Sequence, residues 1–343
     1  MTIEGPAPTL SAGWYTDGHI YACEQREIFG RDWILIGYGH QVLNPGDYVA
    51  EDIAGQPVVV WRSPQGDLRA FINVCPHRAG PIMWDGAGCQ ANLVCRYHGW
   101  AFNPDGSLRN ARDFGAEVPA STGLTPVRVE VWRRMVFVTL HDETPPLTEW
   151  LGNFPSVCKA YPLEDYEFHS QSVRPMQTNW KAYADNFLEG YHVPTLHPGL
   201  AREVTGTSYR VHLHGDRRWN VHLADQRVNE PLAIGVWAWL WPNFSINVFP
   251  GGFAVERWLP RGVDRTDLIF EYFFDPSAPG VDEIVKASEE VADEDALVSE
   301  VVHRNLCSGR YTSGWLSPRH ENGLVAFHEL IREVVTSGGP ARA

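Results

Sequence analysis

The chain has 343 residues, of which 44% are hydrophobic and 20% charged, a composition typical of a globular protein with room for about two packed domains. Its net charge of −14 at pH 7 argues against a nucleic-acid partner. Residues 1–10 lack a basic, apolar leader, and no segment approaches the roughly 18 apolar residues that a membrane span requires. We therefore expect a soluble, cytoplasmic protein. The six scattered cysteines favour metal binding or inert burial over a disulfide framework.

The first half of the chain predicts a small all-β domain. Residues 1–32 are expected to form a helical segment that packs on the second domain. Residues 33–145 contain short β-type runs at 57–61, 68–73, 127–131 and 135–139, separated by turn signals such as Gln-Gly-Asp and Pro-Asp-Gly. A proline-bearing stretch from Pro145 to Pro162 follows, and it marks the expected domain boundary.

Residues 146–343 change in character and predict an α+β domain. Trp180, Tyr183, Phe187 and Tyr191 are spaced by three and four, which indicates a helix at residues 180–190. Strands are expected at residues 211–213, 237–240, 254–258 and 268–274, and further helices at 281–304 and 323–335. The predicted architecture is an antiparallel β-sheet covered by helices.

Four potential metal ligands occur on two short segments of the first domain. Cys75 and His77 form a Cys-x-His pair, and after seventeen intervening residues Cys95 and His98 form a Cys-x2-His pair. Two thiolates on one iron and two imidazoles on the other make a Rieske [2Fe-2S] centre, which carries one electron at a time. A Cys2His2 zinc site and coincidental buried cysteines are the alternatives, but a zinc finger groups its cysteines together and its histidines together.

The segments Cys75-Pro-His77 and Cys95-Arg-Tyr-His98-Gly-Trp resemble the α-subunit of the Rieske non-haem iron oxygenases, and the resemblance extends over nearly the whole chain. It implies a Rieske cluster in an N-terminal β domain and one mononuclear Fe(II) in a C-terminal domain built on an antiparallel sheet. A Gly-x-Gly-x-x-Ala match at residues 86–91 has no strand-to-helix unit around it, so we expect no nicotinamide site in this chain.

Two histidines five residues apart, His192 and His197, follow the predicted helix at 180–190. Pro194 is expected to end that helix near His192, so that His197 returns from the next turn and both imidazoles approach one ion. By spacing alone, either histidine is more simply explained as a hydrogen-bonded loop residue. The upstream Rieske motif and the resemblance of this segment to the family's iron-binding segment imply that both histidines are iron ligands.

The resemblance also supplies a carboxylate ligand. The family carries a Glu-Asp pair in a helix of the second domain, and Glu294-Asp295 matches that pair. We therefore predict Asp295 as the third member of a two-histidine, one-carboxylate iron site, with Asp293 as the fallback. His303 stands where the family has glutamine, and a solvated acidic helix face is the alternative interpretation.

Two further carboxylates precede the histidines. In the family, an acidic residue just before the first histidine bridges cluster and iron across a subunit interface. Glu189 lies three residues before His192, where a helix would place both on one face, so we predict Glu189 as that bridge. Asp185 is predicted as a second catalytic carboxylate that partners an imidazole or caps the helix, with a structural hydrogen bond as the alternative.

The implied reaction is oxidation of a small organic substrate by O2. Electrons from NAD(P)H would arrive through a separate reductase, with or without a ferredoxin, and the family resemblance implies a homotrimer. The motif around His192 and the Pro242-Asn243 pair are similar to the choline, betaine and carnitine branch, which favours N-methyl or quaternary amine oxidation. Ring hydroxylation and other C–H hydroxylation are the alternatives, and an electron-transfer Rieske protein without mononuclear iron or a zinc-stabilised binding module would be a different class.

Aromatic residues alternate along the predicted strand near residue 240. Trp237, Trp239 and Trp241 would share one face, either as ordinary core or as the wall of a cavity that binds a quaternary ammonium group or a flat aromatic ring.

Overall fold

In the computed structural model, the described residues are 5–203, 209–214, 217–223 and 236–337. The chain divides into two compact units: Ile28–Gly152 forms one, and Met1–Glu27 together with Asn153–Ala343 forms the other. The sequence-based limits for the first unit were residues 33–145. None of the described helices is both long enough and apolar enough to cross a membrane.

Most of the described chain lies in short strands and a few helices. The strands, in chain order, are Ala7–Pro8 (β1), Ile34–Tyr38 (β2), Asp47–Ile53 (β3), Gln56–Arg62 (β4), Leu68–Ile72 (β5), Gly86–Cys89 (β6), Leu93–Val94 (β7), Ala101–Phe102 (β8), Leu108–Asn110 (β9), Pro126–Trp132 (β10), Met135–Thr139 (β11), Glu167–Met176 (β12), Arg210–Leu213 (β13), Trp219–Leu223 (β14), Val236–Leu240 (β15), Phe244–Phe249 (β16), Gly252–Gly262 (β17), Arg265–Phe274 (β18) and Trp315–Leu316 (β19). The α-helices are Gly13–Thr16 (α1), Gly18–Glu24 (α2), Leu147–Leu151 (α3), Trp180–Phe187 (α4), Val193–Leu196 (α5), Leu200–Glu203 (α6), Val281–Leu306 (α7) and Asn322–Ser337 (α8).

The unit Ile28–Gly152 is built on an antiparallel sheet with strand order β2-β11-β10-β5-β4-β3-β6. Its central strands are rich in β-branched and aromatic residues, and β11 is buried along its whole length. A second, three-stranded sheet, β7-β8-β9, lies in the same unit. One hydrophobic cluster packs Trp61, Phe71 and Trp100 around Cys75 and Cys95, so both cysteines sit in the core of this unit. The predicted all-β domain is confirmed.

The other unit contains an antiparallel sheet with strand order β12-β18-β17-β16-β15-β14-β13. The predicted strands near residues 211, 237, 254 and 268 are all present, whereas β12, β14 and β16 were not predicted. In β16 the polar residues Ser245 and Asn247 are as buried as their apolar neighbours. The α+β prediction with an antiparallel sheet and accompanying helices is confirmed.

Helices α4 and α7 carry acidic and aromatic residues to the centre of this unit. The side chain of Asn179 caps α4 by accepting a hydrogen bond from the backbone N–H of Lys181 at 3.1 Å. The helix ends at Phe187, so the prediction that it extends to residue 190 was wrong at its C-terminal end. Helix α7 spans 26 residues and has Asp282 and Glu283 in its first turn. Negative charges at this end of a helix interact favourably with the helix dipole.

A buried ion pair ties the N-terminal helices to α4 within the same unit. Lys181 Nζ lies 2.6 Å from Glu24 Oε1, and both side chains are fully buried. The indole N–H of Trp180 donates to the other oxygen of Glu24 at 2.8 Å. Because a buried charge is stable only when paired, this contact fixes the position of α2 against α4.

Candidate active site

The four predicted cluster ligands lie on two loops that fold alike. Cys75 and His77 follow β5, and Cys95 and His98 lie between β7 and β8. In each loop the cysteine N–H donates to the carbonyl five residues later, at 2.8 Å, and the cysteine carbonyl accepts from the N–H four residues later, at 3.0–3.1 Å. The residue at that fourth position, Ala79 or Gly99, has a positive φ. The two loops thus form matching turns although the Cys–His spacing differs.

The side chains on these loops form a donor set suited to an iron–sulfur cluster. Both thiols are buried, and burial raises the pKa of Cys75 to about 11 while backbone N–H groups of the same loop lower it. The Nδ1 atoms of His77 and His98 are buried and have no hydrogen-bond partner among the described residues. Their ring centroids are 4.7 Å apart. Two buried sulfurs and two unsatisfied imidazole nitrogens fit two irons with two thiolate and two histidine ligands.

A glycine allows the two loops to approach each other. A Cβ atom at Gly80 would lie 2.9 Å from the Sγ of Cys95 and 2.7 Å from the Cβ of Tyr97. Both distances are shorter than real Cβ contacts, so only glycine fits between the loops.

The second group of predicted ligands converges in the other unit. One ligand atom from each of His192, His197 and Asp295 lies within 4.8 Å of the others. The Oδ1 atom of Asp295 is 2.9 Å from His197 Nε2 and 3.8 Å from His192 Nε2. His197 Nε2 is buried and makes no hydrogen bond of acceptable geometry among the described residues. Two ligand atoms that share one ion at about 2.1 Å are about 3 Å apart when the angle is near 90°, so this spacing fits a metal centre.

Two carboxylates hold the outer nitrogens of these imidazoles. Glu189 Oε1 lies 2.5 Å from His192 Nδ1, and Glu294 Oε2 lies 2.7 Å from His197 Nδ1. Burial alone would lower the pKa of His197, but the nearby carboxylates of Asp295 and Glu294 raise it above its usual value. A carboxylate on Nδ1 keeps the proton there and leaves Nε2 free to bind a metal.

The local path of the chain differs from the predicted one. Pro194 does not end α4; it lies near the start of the separate short helix α5, and His192 and His197 flank that helix at its two ends. Proline is favoured in a first helical turn because its missing N–H would have no partner there. Glu189 and His192 therefore contact each other through a bend after α4 and not as neighbours on one helix face.

The three acidic residues in the middle of α7 divide between two environments. Asp293 is mostly exposed and pairs with Arg174 at 2.6 Å, so it does not approach the histidines. Glu294 and Asp295 both face the histidines, and Asp295 also accepts a hydrogen bond from the Asn186 side chain at 2.5 Å. The acidic run is therefore not a uniformly solvated face.

Asp185 lies apart from the histidine cluster. Its two carboxylate oxygens contact Tyr15 Oη at 2.5 Å and His328 Nε2 at 3.0 Å, and they line a different cavity. On α4, Tyr183, Asn186 and Phe187 share the face that lines the cavity with the histidines, and helical periodicity turns Asp185 away from it. The imidazole that Asp185 contacts is that of His328, which is not among the predicted iron ligands, and these contacts match the alternative of structural hydrogen bonds.

An aromatic cavity opens beside His192, His197 and Asp295. It encloses about 670 Å³ of empty space, part of it open to solvent. Its aromatic wall is formed by Tyr183, Phe187, Trp237, Phe249 and Phe270. Of the predicted tryptophan stripe, only Trp237 lines the cavity; Trp239 and Trp241 are buried and pack against Phe327, with ring centroids 5.8 and 6.1 Å away. Trp237 is therefore part of the cavity wall, whereas Trp239 and Trp241 belong to the core.

Two buried polar residues of the cavity were not singled out in the sequence. His222 Nδ1 contacts the hydroxyl of Tyr209 at 2.6 Å, and burial lowers the pKa of His222 to about 3, with a smaller contribution from His192. The imidazole is therefore neutral at physiological pH. Glu256 is 2% exposed, and burial raises its pKa to about 7. Neither residue belongs to a motif, because their partners are distant in the sequence.

Comparison with known proteins agrees with this geometry. Residues 163–337 match the family model for the ring-hydroxylating α-subunit catalytic domain, and residues 32–128 match the Rieske [2Fe-2S] domain. Choline monooxygenase of Spinacia oleracea is 30% identical, over 96% of this chain and 79% of that protein. The carnitine monooxygenase oxygenase subunit of Escherichia coli K12 is also 30% identical, over 95% of this chain and 93% of that protein.

The structure of the quaternary ammonium Rieske monooxygenase CntA in complex with L-carnitine is similar to this chain over 96% of both, with a TM-score of 0.85 and 26% identity. Naphthalene 1,2-dioxygenase from Rhodococcus sp., at 18% identity and a TM-score of 0.78, shares the fold. The family carries a Rieske cluster and a mononuclear iron. This chain belongs to the ring-hydroxylating α-subunit family and is the terminal oxygenase component of a Rieske non-haem iron oxygenase.

Proposed function

We propose that this oxygenase oxidises an N-methyl or quaternary amine, at an iron held by His192, His197 and Asp295. The observation that carries the proposal is the convergence of these three ligand atoms within 4.8 Å beside an aromatic cavity. Two histidines and one carboxylate are the ligand set of iron(II) oxygenases that leave positions open for dioxygen. The amine substrate is supported by the similarity to choline and carnitine monooxygenases and by aromatic walls suited to a cation.

Cys75, His77, Cys95 and His98 are proposed to hold the Rieske cluster. Their support is the matched pair of turns, the burial of both sulfurs and the unsatisfied Nδ1 atoms of both histidines. When bound, the cluster delivers single electrons, and the mononuclear iron activates dioxygen. The chain's own residues keep both metal-binding imidazoles in the required tautomer and line the reaction cavity with apolar rings that limit the entry of water.

Glu189 is proposed to couple electron transfer to the iron site. It is 8% exposed, its carboxylate contacts His192 Nδ1, and it also accepts hydrogen bonds from the backbone N–H groups of Tyr191 and His192. These contacts fix the carboxylate at the outer side of one iron ligand, where a bridging residue must lie. In a homotrimer, which we also propose, the other side of Glu189 would meet a cluster histidine of the neighbouring subunit.

Metal analysis and a single-turnover assay test these assignments together. Anaerobically purified protein should contain about three irons and two sulfides per chain and give a Rieske EPR signal after reduction with dithionite. The reduced protein is then mixed with O2 and a panel of N-methyl amines, so that no reductase is needed, and formaldehyde and hydroxylated products are quantified.

The His192→Ala variant should lose about one iron and all product formation while it keeps the Rieske signal, because it removes a ligand of the mononuclear site alone. His169→Ala, an exposed histidine on β12, is the matched control and should behave as the wild type. Loss of the Rieske signal in His192→Ala, or retention of all three irons, would contradict the ligand assignment. Products from neutral aromatic compounds but from no amine would refute the substrate class and leave the oxygenase intact.

The Glu189→Gln variant separates electron transfer from metal binding. It should keep both metals, and dithionite should reduce its cluster normally. Reoxidation of the cluster by O2 in the presence of substrate should slow by orders of magnitude, as measured by stopped-flow absorbance. Product formation at the wild-type rate would contradict the assignment.

Light scattering of the purified protein checks the proposed trimer, and reconstitution with NADH and candidate reductases identifies the electron donor.

A further inference from the structure

A carboxylate lies in the wall of the iron cavity. Glu256 lines the same cavity as His192, His197 and Asp295, and it is 2% exposed. Among the residues that the structure describes, no lysine, arginine or histidine forms an ion pair with it. Its neighbour Arg257 projects to the other side of β17 and pairs with Glu271 at 3.4 Å. A buried carboxylate without a positive partner is costly, so its presence in a cavity wall points to a ligand.

Three neutral donors hold this carboxylate in place. The hydroxyl of Tyr183 donates to Oε1, while Ser245 Oγ and Asn247 Nδ2 donate to Oε2 at 3.1 and 3.2 Å. These donors orient both oxygens but bring no positive charge. A carboxylate accepts about four hydrogen bonds, so three of its positions are occupied. What Glu256 still offers to a ligand is mainly its negative charge.

We propose that Glu256 determines specificity by charge: it selects a ligand whose ammonium group enters the cavity between the aromatic walls. This inference rests on the proposed function and deepens it, because the N-methyl substrate must then be cationic when it binds. Trp237, Phe249 and Phe270 supply ring faces or edges around the same space. An ammonium group interacts favourably with ring faces and with a carboxylate in a cavity of low polarity. A neutral ligand would leave the carboxylate unpaired, and an anionic ligand would be repelled.

The test compares two ligands of nearly the same shape that differ in charge. Choline and its neutral isostere 3,3-dimethylbutan-1-ol are titrated into the anaerobic, metal-loaded enzyme by isothermal calorimetry. The variants are Glu256→Gln, Glu256→Asp and, as the control for loss of one charge, Glu290→Gln on the exposed side of α7. Iron and sulfide contents and the circular dichroism spectrum are measured for each protein, so that loss of folding is seen separately.

Wild-type enzyme should bind choline more tightly than the isostere. Glu256→Gln should weaken choline binding on the order of 30-fold and change binding of the isostere little, because only choline loses a charge partner. Glu256→Asp keeps the charge and should retain part of the preference, and Glu290→Gln should retain all of it. Equal affinity of the wild type for both ligands, binding of neither at millimolar concentration, or an unchanged preference in Glu256→Gln would overturn the proposal.

The outcomes also separate this inference from the proposed function. An enzyme that oxidises N-methyl amines while its Glu256→Gln variant keeps the charge preference would refute the role of Glu256 and leave the proposed reaction standing. An enzyme whose preference for choline depends on Glu256 but which oxidises no amine would support the role of Glu256 and refute the proposed reaction.

Discussion

Replacing Glu256 by glutamine should stabilise the folded protein above neutral pH and leave its stability nearly unchanged at about pH 4. Burial raises the pKa of this carboxyl from its usual 4.5 to about 7. Because the folded state holds the proton more tightly, the stability contributed by this group is fully present below its unfolded pKa and is lost as the pH rises through about 7. At 1.36 kcal/mol per pH unit, the full loss is about 3 kcal/mol.

The amide of glutamine resembles the protonated carboxyl in shape and in carrying one acceptor oxygen and one donor group. The variant should therefore match the wild type where Glu256 is protonated in both the folded and the unfolded state, and exceed it by up to about 3 kcal/mol where it is ionised in both. Urea unfolding followed by tryptophan fluorescence, at about pH 4 and about pH 8.5, measures the difference, with Glu290→Gln as the control for net charge. A difference that is the same at both pH values, or a variant that is less stable at the higher one, would refute the argument that Glu256 is buried without a cation.

Three further substitutions probe the packing around the two metal sites. Lys181→Met leaves Glu24 as an uncompensated buried charge, so urea unfolding should show a loss of about 3–5 kcal/mol, and a loss below about 1 kcal/mol would mean that the pair is solvated. Glu294→Ala removes the acceptor on His197, a proposed iron ligand, and should weaken mononuclear iron binding about 10- to 100-fold in a chelator competition, with the Rieske EPR signal unchanged. Gly80→Ala should lower the sulfide content, because its Cβ would lie 2.9 Å from the Sγ of Cys95; full cluster loading would show that the loops can separate.

The elements of the fold were predictable where one local signal dominated. Turn-bounded runs such as Met135–Thr139 have a continuous apolar pattern, and the observed strand has the predicted limits. Strand Phe244–Phe249 was missed because Ser245 and Asn247 interrupt its apolar run, although both are buried and donate to Glu256. The end of helix α4 was also placed too late, since Pro194 was taken as the terminator when it begins a new helix.

The proposed metal ligands could be picked out of the sequence for a different reason. The Cys–His pairs and the two histidines each lie within a few residues of one another, so a motif in the sequence describes most of each site. Asp295 required the family resemblance, because any of the three acidic residues at 293–295 could be the ligand by composition alone. The packing of α7 against α4 and β12 decides that Asp293 reaches Arg174 while Asp295 reaches the histidines.

The environment of Glu256 could not be predicted from a sequence motif. Its partners come from Tyr183 on α4 and from Ser245 and Asn247 on the adjacent strand, so its environment exists only after the sheet and helix have packed. In the sequence it stands next to Arg257, which suggests an ordinary ion pair, but successive residues of a strand face opposite sides and the pair does not form. Because of this alternation, Arg257 pairs with Glu271, and Glu256 faces the cavity. A charge that the fold isolates in this way destabilises the protein above neutral pH, and a cationic ligand in the cavity would offset that cost.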